Sequence, residues 1–255
     1  MLPEPEPELV LTDAAADILN GDTPPSQVRY IIGDIHDVIM TLPDNSVNLI
    51  YTNPPFATTG AHWDKPLDWT SLFPQMDRVL SENGAVVLHC SIPFTYELIS
   101  VRKPNYHYTW KKNNPTGFFQ AKKQPLRNIE EVLVYYRKSH QYNPQMRGDE
   151  VVEYNRRRSY EGNYYGAQKP NKTTQKGRYP TTFLGAYKRV LQKNNPKSVP
   201  DALTEYFIKT YSSEGDTILD MTCCSRNNGD ISLRLKRDYI GVDLSDEYLT
   251  DITVS

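Results

Sequence analysis

The sequence predicts an α/β fold, with a mostly parallel central sheet flanked by helices. Two segments carry this expectation. Val47 to Thr52 (VNLIYT) reads as a buried strand and runs directly into Asn53-Pro54-Pro55-Phe56. Near the other end, Gly215 to Asp220, a polar turn, Asp230 to Lys236, and Tyr239 to Asp243 read as strand, loop, helix and strand. Asp243 falls 23 positions after Asp220. An acidic residue about 20 positions past a first strand is where nucleotide-binding α/β units hold ribose hydroxyls.

The remaining elements follow in order. Arg29 to Asp34 reads as a strand ending in Gly33-Asp34, and Ile35 to Leu42 as a short helix closed by the turn Pro43-Asp44-Asn45-Ser46. After the strand at 47–52, Ala57 to Trp69 forms a loop over its end. Ser71 to Leu80 is a helix stopped by Glu82-Asn83-Gly84. Ala85 to Cys90 is a strand, Thr95 to Val101 a helix, and Tyr106 to Trp110 and Glu131 to Tyr136 are β-rich. Residues 139–195 have no sustained periodicity, and a stretch of that length in a compact domain is usually functional or disordered. Helical periodicity returns over Asp201 to Tyr211, where Ala202, Leu203, Tyr206, Phe207 and Ile208 share one side.

The chemistry of the prolyl turn is specific. Two prolines hold φ near −65° and remove two backbone donors. Acceptors remain: the Asn53 amide oxygen and the carbonyls around Pro54. An exocyclic base amine presents two N–H donors and needs two such acceptors. Phe56 adds a face on which a base can stack.

Composition narrows the class. The 255 residues suffice for one α/β domain and an insertion, and tyrosine is abundant at 18. No apolar run approaches the length of a membrane span. The start, Met1-Leu2-Pro3-Glu4-Pro5-Glu6-Pro7-Glu8, lacks the features of a secretory signal and reads as a frayed acidic arm over 1–28. Cys90, Cys223 and Cys224 make no disulfide framework, which suggests a reducing, intracellular setting. Five scattered histidines suggest no metal site.

Net charge is −2, yet residues 101–200 carry 21 Lys+Arg against 6 Asp+Glu. Such a block is an electrostatic footprint for phosphates. It contains Lys122, Lys123, Arg127 and the run Arg156-Arg157-Arg158, with tyrosines interleaved that can stack on bases. Double-stranded DNA is the partner this pattern fits, with no membrane and no metal.

Together the two end segments resemble the β-class amino-methyltransferases of DNA, in which the catalytic strand precedes the cofactor strand. The resemblance runs from about Tyr30 to Tyr248 and is most specific in the middle. Trp63-Asp64-Lys65-Pro66-Leu67-Asp68-Trp69, Thr116-Gly117-Phe118-Phe119-Gln120-Ala121-Lys122-Lys123-Gln124-Pro125-Leu126-Arg127 and Tyr142-Asn143-Pro144-Gln145-Met146 look like phage and bacterial adenine-N6 enzymes. The resemblance implies a Rossmann-like methyltransferase fold with permuted motif order. It implies a catalytic half over 29–138, a target-recognition insertion over 139–195 and a cofactor half over 196–255. It implies S-adenosyl-L-methionine as cofactor, flipping of the target base, and a homodimer or a heteromeric partner. Asn53, Pro54, Pro55 and Phe56 would be the reacting turn. Asp34 would approach the cofactor adenine. Asp220, Thr222, Cys224 and Ser225 would hold its methionine end with Lys197 and Ser198, and Asp243 and Leu244 its ribose.

The chain departs from this pattern, most seriously in one cluster. Where the family has a Gly-Ser-Gly turn, this chain reads Cys224-Ser225-Arg226. Elsewhere Val199 replaces a usual lysine, Asn128-Ile129-Glu130 a typical Ala-His-Glu, and Asn53 the more usual Asp, a mild change because Asn keeps the acceptor oxygen. Glycine serves in the Gly-Ser-Gly turn because backbone approaches the ligand and takes φ > 0, so a Cβ could clash and the arginine could fill the pocket. Two readings therefore stand: an active adenine-N6 enzyme, or a non-catalytic relative that binds DNA or a partner subunit. Cytosine-N4 methylation is a third reading that fits less well, since those enzymes more often carry Ser-Pro-Pro where this chain has Asn53-Pro54-Pro55.

Overall fold

A computed structural model describes the strand at residues 9–10, together with residues 26–156, 171–185, 187, 199–247 and 249. The chain divides into a large unit, 1–143 with 182–255, and a small unit, 144–181.

In the large unit the strands are β1 (Leu9–Val10), β2 (Val28–Ile32), β3 (Val47–Thr52), β4 (Leu80–Cys90), β5 (Tyr106–Thr116), β6 (Arg127–Tyr135), β9 (Phe183–Leu184), β10 (Thr217–Asp220) and β11 (Asp238–Asp243). Among the described residues they form one sheet in the order β1-β2-β11-β10-β3-β4-β6-β5-β9. The five strands β2, β11, β10, β3 and β4 are mutually parallel. β6 runs against β4 and β5 against β6, which completes a mostly parallel, Rossmann-like sheet in which β3 precedes β10 along the chain.

Side-chain alternation splits the core between the two faces of the sheet. Ile31, Ile50, Leu219 and Ile240 point to one face, where helices α1 (Ile35–Thr41), α2 (Trp69–Val79) and α3 (Phe94–Val101) cover them with Val38, Leu72, Met76 and Leu98. Tyr30, Leu49, Tyr51, Ile218 and Tyr239 point to the other, under α4 (Asp201–Tyr211) and α5 (Asn227–Arg234). Two helices start on aspartates at strand ends or loops. Asp34 caps α1 by accepting from His36 N, and Asp68 caps α2 by accepting from Thr70 N and Ser71 N.

Three elements differ from the sequence expectation. α5 starts at Asn227 rather than Asp230, because its first turn is anchored by tertiary contacts. Asn228 bonds to Asp220, and a Cβ at Gly229 would lie 2.3 Å from the Tyr30 hydroxyl, so only glycine lets the helix approach β2. β4 starts at Leu80, directly after α2, with no break at Glu82-Asn83-Gly84. β5 and β6 form a longer hairpin than the β-rich cores alone suggested.

The small unit is a two-stranded antiparallel ribbon of β7 (Arg147–Arg156) and β8 (Asn171–Arg178). Its cations Lys172, Lys176 and Arg178 stand beside Glu153, Asp149 and Glu150. Of the acidic arm, residues 1–8 and 11–25 lie outside the described residues, as do Arg157, Arg158, Lys197 and Ser198.

Candidate active site

Four neighbouring parallel strands end at one edge of the sheet, and each ends at a residue the sequence singled out. Asp243 pairs with Ile32, two residues before Asp34. Asp220 pairs with Gly241 on β11, and Leu219 pairs with Ile50 of the strand that leads to Asn53. The Thr52 and Thr222 hydroxyls lie 3.1 Å apart, so the prolyl turn and the loop after Asp220 meet through a hydrogen bond. After these strands the chain diverges, since α2 packs on one face and α5 on the other. Divergence at neighbouring strand ends opens a crevice outside the sheet, the usual ligand position in open α/β proteins.

On the prolyl side, Asn53 is half-buried and its amide makes no hydrogen bond among the described residues. Pro54 is buried. Phe56 stacks one face on Phe94, with ring centroids 5.3 Å apart, and Phe94 leans on Trp69 in turn. The turn is then clamped by a residue whose role sequence reasoning missed. The buried Asp64 carboxylate accepts from Ala57 N at 2.8 Å, Thr58 N at 3.0 Å, Thr59 N at 2.7 Å and the Thr59 hydroxyl at 2.6 Å. Burial favours its proton, but the donors from Thr59, Ala57 and Thr58 outweigh this and hold its pKa below the usual range. Ala57 takes φ +52°, a left-handed conformation that this clamp supports. The signal in the sequence was faint: small residues, Thr58-Thr59-Gly60, followed within a few positions by an acid able to bond their amides.

On the other side, Asp220 is 1% exposed. It accepts from Asn228 Nδ2 at 2.8 Å, the Tyr239 hydroxyl at 3.0 Å and Thr222 N at 3.3 Å. Burial dominates these bonds and raises its pKa to about 6. A polar chain continues inward. Asn228 Oδ1 accepts from Thr204, Thr204 contacts the Tyr51 hydroxyl at 3.1 Å, and that hydroxyl contacts His89 Nε2 at 3.1 Å. Burial pushes His89 down to about 3, so the imidazole stays neutral in the core.

The loop between these features contains the departures from the family pattern. Cys224 takes φ +56°, the left-handed region that glycine occupies freely. Its N–H donates to Asp243 Oδ2 at 2.7 Å, and Ser245 N donates to Oδ1. Burial raises the Asp243 pKa against those donors. Arg226 takes an ordinary helical conformation and turns along α5, with Nη2 3.8 Å from Asp230 Oδ1. Its backbone oxygen accepts from the Tyr30 hydroxyl. The arginine expected as a plug is thus engaged one turn down the helix, while Cys224 carries the strain.

The other expected site residues are spread. Thr222 is half-buried, Ser225 buried and Leu244 exposed, all along the same edge. Asp34 is exposed; desolvation raises its pKa, but the His36 N and Nδ1 donors together outweigh this and lower it overall. His36 Nε2 also accepts from Asp68 N at 3.3 Å, linking the β2 tip to the start of α2. Lys122, Lys123 and Arg127 lie at the β5–β6 hairpin, whereas Arg156 ends β7 in the small unit.

A family model described as DNA methylase matches residues 47–254, and the chain belongs to that N6/N4 DNA methylase family. Solved structures of low identity share the fold. M1.HpyAVI in complex with SAM is 19% identical over 87% of this chain and 95% of its own, at TM-score 0.58. The cytosine-N4-specific PvuII DNA methyltransferase is 14% identical over 90% and 89%, at TM-score 0.62. The Thermus thermophilus protein TTHA0409, complexed with S-adenosyl-L-methionine, is 17% identical over 88% and 90%, at TM-score 0.54.

Proposed function

We propose that the chain transfers a methyl group from S-adenosyl-L-methionine to the N6 amine of an adenine flipped out of double-stranded DNA. The observation that carries this reading is the hydrogen bond joining Thr52, just before Asn53-Pro54-Pro55-Phe56, to Thr222, just after Asp220. It supports a single crevice with an acceptor-rich turn on one wall and carboxylates on the other.

The carboxylates fit the cofactor by chemistry. Its ammonium, ribose hydroxyls and adenine amine are all donors, and Asp220, Asp243 and Asp34 supply acceptors at three adjacent strand tips. With a pKa near 6, Asp220 is ionised at neutral pH and favours a cationic ligand. Asp220 and Thr222 would hold the methionine end with Cys224, Ser225, Lys197 and Ser198; Asp243 and Leu244 would hold the ribose, and Asp34 the adenine. When bound, the cofactor supplies an electrophilic methyl group on a sulfonium.

The chain's own residues do the rest. The Asn53 oxygen and the Pro54 carbonyl accept the two amine hydrogens and favour a tetrahedral nitrogen. The same dipoles stabilise the positive charge that develops there, and the methylated amine then gives up one proton to water. Asp64 keeps the turn in place, so little reorganisation accompanies the reaction. Phe56, backed by Phe94, offers its remaining face to the base. Lys122, Lys123, Arg127 and the Arg156-Arg157-Arg158 run serve DNA phosphates, and residues 139–195 serve target recognition.

One observation favours a second reading, a DNA-binding or partner subunit without catalysis: the left-handed Cys224 with a side chain where the family has glycine. Titration calorimetry with S-adenosyl-L-methionine separates the two. Binding, followed by labelled-methyl transfer to mixed-sequence DNA and recovery of N6-methyladenine on hydrolysis, is the expected result. N4-methylcytosine would reassign the base, and no heat at millimolar ligand would leave the non-catalytic reading.

A further inference from the structure

The tip of the β5–β6 hairpin carries two aromatic rings with nothing to do in the fold. Phe119 is 105% exposed and Phe118 65%. Neither ring contacts another aromatic among the described residues. The tip is nonetheless well built. Gly117, at φ +93°, turns the chain into a 3-10 turn, Phe118–Gln120. Gln120 N donates to Gly117 O at 2.9 Å, Ala121 N to Phe118 O at 3.1 Å and Lys123 N to Gln120 O at 2.8 Å. A hydrogen-bonded turn that presents two phenylalanines to water has the form of a contact element.

Its position follows from register. Glu131 pairs with Cys90 at the carboxyl end of β4, and Arg127 pairs with Thr116 four residues further out. At about 3.3 Å per residue, the hairpin overhangs the carboxyl edge of the sheet by roughly 13 Å, at the same end as Asn53. Its cations are unneutralised: Lys111, Lys122, Lys123 and Arg127 are exposed, and among the described residues none has an ion pair, whereas Lys112 pairs with Glu130.

We propose that Phe118 and Phe119 form a wedge that enters the base stack of duplex DNA and fills the gap left by the extruded nucleotide. Lys122, Lys123 and Arg127 hold the flanking phosphates. The inference rests on the base-flipping reading above. Apolar side chains inserted between base steps unstack and kink a duplex, and aromatic rings stack on any base. An apolar protein partner would have to desolvate four unpaired cations, so the charge favours a polyanion.

The test uses the full chain and a duplex recovered on it from a random-sequence pool, with 2-aminopurine replacing each adenine in turn. The wild type is expected to raise fluorescence at one position. The double variant Phe118→Ala/Phe119→Ala, whose melting temperature should be unchanged, is expected to lose about tenfold of that rise on the paired duplex. It should regain the rise when the base opposite the target is omitted, because the stack is then already open. Phe119→Trp should behave as wild type. A rise unchanged in the double variant, or an equal loss on both duplexes, overturns the wedge alone. No rise with bound wild type overturns base flipping and the wedge together. Variant-sensitive binding to phosphatidylserine vesicles, without an effect on DNA, would assign the tip to a lipid surface instead.

Discussion

Asp64 and Asp220 are both buried carboxylates that organise loops bordering the crevice, yet they ionise in opposite senses. Asp64 accepts four bonds, three of them from consecutive backbone amides, and its pKa falls. Asp220 is also well bonded, but two of its three described partners are side chains, and its pKa climbs to about 6. Depth of burial and the supply of amide donors decide the charge together: Asp220 lies far deeper than Asp64, and fewer amides reach it. The consequence is an anionic clamp on the segment that follows the prolyl turn and a titratable acid under the loop proposed to hold the cofactor.

The comparison breaks first if the turn is not where transfer happens. Asn53→Ala is expected to lower methyl transfer by about 100-fold or more, the scale for removing one preorganised dipole, while cofactor affinity stays within twofold by calorimetry. Equal loss of both would move the reaction elsewhere. Next, Asp64→Asn leaves amides around residues 57–59 without a charged acceptor and should cost roughly 2–4 kcal/mol in urea unfolding, with a fall in turnover larger than any change in cofactor affinity. Its pH behaviour has a definite sign. A lowered pKa contributes stability above the ordinary carboxylate range, lost as pH falls through the folded value, so the variant should lose part of the acid limb of the stability curve.

Asp220 has the reverse sign. Its raised pKa contributes stability fully present below the ordinary range and lost as pH rises through about 6. Asp220→Asn should flatten the decline in stability between about pH 4 and 6, measured by urea midpoints across that range. A slope equal to wild type would mean that another group titrates there. The smallest effect is at Cys224. Cys224→Gly should stabilise the fold by about 1 kcal/mol by relieving a left-handed side chain, and should tighten S-adenosyl-L-methionine binding. Unchanged affinity would clear the thiol of obstructing the crevice.

The strand tips were legible because punctuation marks them: Pro54-Pro55 after a β-branched run, and Asp34, Asp220 and Asp243 at the ends of apolar segments. What the sequence hid depends on distant packing. Asn227-Asn228-Gly229 reads locally as a turn, yet it begins α5, because Asp220 and Thr204 anchor Asn228 and Tyr30 demands glycine at 229. Asp64 looks like one more loop acid until the chain folds back by seven residues to wrap it with amides. The direction of Arg226 was equally unreadable, since an i,i+4 acid and a crevice both lie within its reach.

Strand order also dictates an assembly sequence during synthesis. β10 lies between β11 and β3, although it follows β3 by more than 160 residues along the chain. A ribosome releases the prolyl turn at 53–56 long before residues 217–220 exist to flank it. Until β10 and β11 both emerge, nothing bridges β2 to β3, and each keeps an edge of unmet amides and carbonyls. Insertion of that late central strand is a highly non-local event, the kind that slows folding. The nascent protein thus acquires both walls of its crevice in one closing step, and a ribosome stalled before residue 217 would hold a half-sheet suited to chaperone capture.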